Sequence, residues 1–196
     1  MNPFGGSDAE DSATTTTRER LMEAALDSLA SHGVLGGLNL REIADRAGVT
    51  PANIYHYFGS RRGLLRAALG RETTRLAEPL ESLEGASFEE RRLRMFDQIT
   101  SRPGLCLGAL LALDEDPDFE PLPFLAQTAA RYRAQADAGR LPPDLDVLAA
   151  HLVTLAASIG VALYRDAASR QLRIPAEELT ARARAVLAEM LAAVAR

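Results

Sequence analysis

Residues 40–58 read LREIADRAGVTPANIYHYF, and this stretch decides how the chain folds. Ile43, Ala44 and Ala47 give its first half an inward stripe at helical spacing. Gly48 then offers a left-handed stop, and Val49 plugs the turn behind it. Thr50 can cap a second helix, and Pro51 suits the first helical position, where no N–H is needed. The pattern is helix, tight glycine turn, helix. Advancing about 100° per residue along the second helix puts Ile54 and Phe58 on one edge. Ala52, Asn53 and His56 then share the outward face, with Tyr55 and Tyr57 flanking it.

Such a face has a use on DNA. Asparagine pairs bidentately with adenine, histidine meets base edges, and alanine touches a thymine methyl. Tyrosine hydroxyls on the flanks reach phosphates and fix register without reading sequence. The same residues also suit an ordinary surface, and geometry alone leaves both readings open.

On either side the chain carries further helix punctuation. Thr16-Thr17-Arg18-Glu19 has capping-box spacing, predicting a helix to about His32 with Gly33 as its stop. Asn39-Leu40-Arg41-Glu42 repeats that spacing, and Ser60 opens a fourth helix expected to reach Glu78 before Pro79. Arg61 and Arg62 sit in its first turn, where the helix dipole disfavours cations. A phosphate at that helix end relieves the mismatch. Beyond it, Pro103-Gly104, Pro142-Pro143 and Pro175 separate more helical runs, about nine helices in all with no convincing strand. The expected class is all-α.

Composition agrees. The 196 residues include 22 basic side chains, all arginine, and 27 acids, for a net charge of −5. Residues 13–75 nevertheless carry +3, a basic segment on an acidic protein that hints at an anionic partner on one face. A single cysteine, Cys106, excludes an internal disulfide framework and fits a reducing compartment. The first thirteen residues lack the basic and apolar regions of a secretion signal. The apolar run Val147–Leu163 is interrupted by His151, Thr154, Ser158 and Gly160 and is short for a bilayer span. A soluble cytoplasmic protein without membrane contact is expected.

The chain resembles the tetracycline-repressor (TetR) type of bacterial transcriptional regulators. The resemblance runs from Thr17-Arg18-Glu19-Arg20 through Ala24-Ala25 and Ala30, across Leu40–Ala44 to Gly48-Val49-Thr50. It continues in Ile54–Phe58, Ser60-Arg61 and Leu64-Leu65. It implies phosphate contacts at Thr50, Tyr55, Tyr57 and Arg61, and base contacts among Pro51, Ala52, Asn53 and His56. Thr17 and Arg41 complete the candidate DNA-binding set. Three departures stand out: Arg61 replaces a common lysine, Arg62-Gly63 replaces a usually acidic helix start, and the Gly33–Leu38 loop is one residue longer.

The resemblance divides the chain into a disordered tail (1–13), a helix-turn-helix DNA-binding domain (14–60), a connecting helix (61–78) and an effector-binding and dimerisation domain (79–196). It implies a homodimer on a palindromic double-stranded operator, most often a repressor, released by a small-molecule effector. For the dimer, Leu148, Leu152, Leu155, Ile159 and Leu163 make one stripe. Ala149, Val153, Ala156, Ala157 and Gly160 make a second, and Val186, Leu187 and Met190 lie on the last helix. A helix apolar on nearly all sides needs two packing partners. Effector-lining candidates are Met95, Phe96, Ile99, Leu105, Cys106, Leu110, Phe119, Phe124, Tyr132 and Tyr164, a mostly apolar set that suits an uncharged ligand. His151 reads as an interface histidine and Cys106 as an inert buried thiol.

No cofactor or metal is expected, because His32, His56 and His151 lack ligand spacing. The acidic stretch Asp114–Asp118 reads as a solvated loop. Two other classes are a helical sensor or scaffold without DNA binding, and a helical enzyme using Cys106 or His151.

Overall fold

The computed structural model describes residues 7–81, 85–122 and 124–194. Among them are nine α-helices and no strand, the expected class. The helices are α1 (Ser7–Gly37), α2 (Leu40–Arg46), α3 (Pro51–Phe58), α4 (Arg61–Glu81), α5 (Phe88–Ser101), α6 (Leu107–Leu113), α7 (Leu125–Asp137), α8 (Val147–Leu172) and α9 (Ala176–Val194). A 3₁₀ turn, Pro103–Cys106, precedes α6.

Most local signals act where expected. Gly33 breaks the α1 trace at φ 67°, ψ −174°, the left-handed stop a glycine supplies without a Cβ clash. Asn39 caps α2 by accepting from Arg41 N–H at 3.1 Å. Ser60 Oγ accepts from Gly63 N–H at 3.0 Å and opens α4. Two boundaries differ. The backbone is helical from Ser7, so Thr16 and Thr17 lie inside α1 rather than at a cap; of the expected disordered tail, residues 1–6 lie outside the described residues. Thr17 Oγ1 instead accepts from Arg20 Nη2 at 3.2 Å. Helix α4 also runs through Pro79 to Glu81, because a proline in the last turn forfeits only one ladder hydrogen bond.

The chain forms two compact units, residues 1–72 with 110–119, and residues 73–109 with 120–196. The expected boundaries at 60 and 78 are not where the chain divides. In the first unit, Leu21, Met22, Ala24 and Ala25 of α1 join Ile43, Ala44, Ile54, Leu64, Leu65, Ala68 and Leu111 in a core.

In the second unit, α5, α8 and α9 pack against one another. Ser87 and Glu90 make a reciprocal capping box at the start of α5, at 3.1 and 2.7 Å. Phe88, Phe96, Tyr132, Leu141, Leu187 and Leu191 form its core. Arg184 of α9 grips Asp97 of α5 bidentately, at 2.7 and 3.1 Å.

Helix α8 is the surprise. Its buried residues are the polar His151, Thr154 and Ser158, while Leu148, Leu152, Val153 and Leu163 are exposed. Thr154 and Ser158 return their hydroxyls to the carbonyls of Ala150 and Thr154, at 2.8 and 2.7 Å, so they bury small side chains without needing partners from elsewhere. His151 is therefore interior and not an interface histidine, a correction that hydrophobic periodicity could not foresee.

Candidate nucleic-acid interface

Helices α2 and α3 pack through Ile43, Ala44 and the fully buried Ile54. Gly48 takes φ 67° in the turn, and Val49 N–H reaches Ala44 O at 3.0 Å, closing it. Of the expected DNA-contacting residues, Arg41, Thr50, Ala52, Tyr55, His56 and Arg61 are exposed. Thr17, Pro51, Asn53 and Tyr57 are half-buried. Tyr55 leaves 56% of its surface open, high for an aromatic ring in a folded head. His56 sits edge-on to Tyr57, ring centroids 4.9 Å apart, so the two rings brace each other. Sequence reading did not find the Arg18 guanidinium 5.4 Å above the Phe58 ring, which ties α1 to the end of α3.

Asn53 has another job than the bidentate adenine contact expected of it. Its Oδ1 accepts from Thr50 N–H at 3.1 Å and from Thr50 Oγ1 at 2.8 Å. An N–H can only meet an oxygen, which fixes the amide orientation. The oxygen is engaged in capping, so only the amide N–H₂ can face a base edge. Asn53→Ala is therefore expected to cost about 1 kcal/mol of head stability through the lost cap. Asn53→Asp keeps the capping oxygen and removes the donors. Its melting temperature is expected to match wild type while DNA affinity falls, as thermal melts and fluorescence anisotropy on the same samples will check.

The arginines at the start of α4 divide into two roles. Arg62 pairs with Asp114, also donating to the Asp114 carbonyl at 3.1 Å. Asp114 is held below the usual carboxylate range by that hydrogen bond, and Arg62 is raised by the same contact. Arg66 meets Asp116 at 3.0 Å and also Asp118. The stretch Asp114–Asp118 is therefore an ionic clasp on α4 and not a free solvated loop, and Arg62 has its counter-charge without a phosphate. Arg61 stays exposed, with no hydrogen bond or ion pair among the described residues. Gly63 is explained as well. A Cβ there would lie 2.0 Å from Phe58 O, so only glycine lets α4 start this close to the end of α3.

The other candidate residues scatter. Met95, Phe96, Ile99, Leu105 and Tyr132 are buried in the second unit. Leu110 belongs to the first unit, where it lines a groove of about 480 Å³ with Leu38, Ser60, Arg61 and Leu65. Phe119 is half-buried and also in the first unit. Phe124 and Tyr164 are exposed, so neither lines an interior. Burial pushes the half-buried Cys106 thiol up, as suits an inert group. On the outward side of α8 and α9, Leu152, Ala156, Leu163, Val186 and Met190 are exposed, and Leu155 and Ile159 are half-buried. Leu187 is the exception: it packs in its own unit's core and cannot serve an interface. No group of three or more metal-ligating side chains occurs among the described residues.

Residues 21–68 match the profile of "Bacterial regulatory proteins, tetR family". This chain belongs to that family. It is 34% identical over 97 residues to the transcriptional repressor KstR of Rhodococcus jostii, covering 50% of this chain and 45% of that protein. It is 45% identical over 56 residues to the regulatory protein RaaS of Mycobacterium tuberculosis, covering 29% and 26%. These matches take in less than half the length of either relative. The fold is shared with a Rhodococcus sp. structure assigned to the TetR family, at TM-score 0.69 and 21% identity over 93% of this chain and 100% of that one.

Proposed function

We propose that this tetR-family protein is a cytoplasmic DNA-binding transcriptional repressor that acts as a homodimer on a palindromic operator and responds to a small-molecule effector. The observation that carries the reading is the solvent-facing side of α3, where Ala52, Tyr55 and His56 stand exposed while Ile54 anchors the opposite side. Matched relatives named as repressors support it. Two α3 helices, one per protomer, would enter successive major grooves about 34–36 Å apart. His56, Ala52 and the Asn53 amide would read bases, and Tyr55, Tyr57 and Arg61 would hold phosphates. The effector would bind the second unit and favour a state with weaker DNA affinity. Operator DNA must then weaken effector binding by the same factor.

Selection of genomic fragments by the purified protein identifies the operator. On it, Arg61→Ala is expected to weaken all sequences alike and to lower the slope of log K against log salt by about 0.9. Arg62→Ala, whose guanidinium is already paired with Asp114, is expected to leave that slope unchanged. Failure to enrich any fragment at low salt would favour a sensor or scaffold without DNA binding.

A further inference from the structure

The second unit buries an arginine without giving it a counter-charge. Arg92 of α5 is 5% exposed, and no ion pair to it occurs among the described residues. Its Nε is buried without a hydrogen-bond partner. One Nη1 faces the Met95 sulfur at 3.6 Å and the His151 Nδ1. The guanidinium lies against two aromatic rings, 5.4 Å from the Tyr132 centroid and 6.0 Å from that of Phe88. The Tyr132 hydroxyl is also buried without a hydrogen bond, in a residue 1% exposed, close enough to feel the Arg92 charge. Burial and that charge push the His151 pKa down to about 4, so the imidazole is neutral and supplies no negative charge.

Elsewhere this acidic chain behaves differently. Arg66 receives Asp116 and Asp118, and Arg184 receives Asp97. A buried cation left to a thioether, a neutral imidazole and ring faces is costly, and breaking even with hydrophobic packing needs a full ionic partner. The unused donors here, the Arg92 Nε–H and the Tyr132 O–H, lie on one side chain cluster with no acceptor oxygen beside them.

We propose that Arg92 and Tyr132 form the anion subsite of the effector pocket, and that the effector is a small carboxylate with an apolar body. This rests on the effector reading above and replaces the uncharged ligand expected from sequence. A carboxylate takes a guanidinium bidentately, displacing its weak neighbours Met95 and His151, and accepts the Tyr132 hydroxyl. Phe88, Phe96 and Met95 supply an apolar wall for the rest of the molecule.

The test uses the full chain with octanoate, decanoate and phenylbutyrate at millimolar concentration, each beside its methyl ester. Thermal melts and operator anisotropy are read on the same samples. The acids are expected to raise the melting temperature and the esters to have no effect. Arg92→Met is expected to melt at or above wild type without ligand, because it replaces an uncompensated buried charge by an apolar chain of similar length. The same substitution is expected to weaken acid binding about tenfold or more. Tyr132→Phe removes only an unpartnered hydroxyl, so it is expected to fold normally and bind the acids several-fold more weakly. The proposal is overturned if acids and esters stabilise equally, if no acid shifts the melt, or if Arg92→Met binds the acids like wild type. Acids that bind without altering operator affinity uphold the subsite and remove the effector role. Esters that release the operator where acids do not keep the effector reading and overturn the subsite.

Discussion

Glutamate at both Leu152 and Met190 is expected to convert the protein from dimer to monomer. Leu152 is 50% exposed on α8 and Met190 58% exposed on α9, on helices whose other sides already pack within their own unit. Burying side chains of this size contributes roughly 1.5–3 kcal/mol each, and a two-fold axis counts each residue twice. Glutamate removes that gain and adds a charge that must stay wet. Because two linked heads bind a two-half-site operator far more tightly than one, operator affinity is expected to fall by a factor of about 10²–10⁴. Light scattering after gel filtration reports the mass, and anisotropy reports the affinity. Thermal melts should show the second unit still folded, since neither side chain belongs to its core. A protein that stays dimeric would mean that another surface joins the protomers.

Gly63→Ala sets two rules against each other. Helix propensity favours alanine over glycine by about 1 kcal/mol in a helix interior. The structure places the new Cβ 2.0 Å from the Phe58 carbonyl oxygen, a backbone atom that cannot swing aside as a side-chain end would. Sterics win, because the clash lies far inside any van der Waals contact. Overpacking of this kind costs about 1–3 kcal/mol, so the net effect is destabilisation of the head, and DNA binding falls with it because α3 ends at that carbonyl. Urea melts monitored by circular dichroism, with operator titrations alongside, check both. A stabilised Gly63→Ala protein would show that the junction between α3 and α4 relaxes freely.

The head was legible because its signals are local. Asn39, Thr50-Pro51 and Ser60 start helices, Gly33 and Gly48 stop them, and each acts within a few residues of itself. Periodicity also separated the buried Ile54 from the exposed Ala52, Tyr55 and His56. It failed where a residue had two local uses. Asn53 suits both a base edge and a cap, and only coordinates show its oxygen on Thr50.

Sequence by itself determined an all-helical chain, the helix-turn-helix and the outward face of α3, since cap chemistry and the 3.6-residue repeat act over one or two turns. Tertiary structure alone decided which arginines have partners and which side of α8 turns inward. The Arg62–Asp114 clasp joins residues 52 apart, and the Arg92–His151 contact joins residues 59 apart. On α8 nearly every direction is apolar, so hydrophobicity could not choose among them. The choice fell to the close fit of small self-satisfied hydroxyls and one neutral imidazole in the interior.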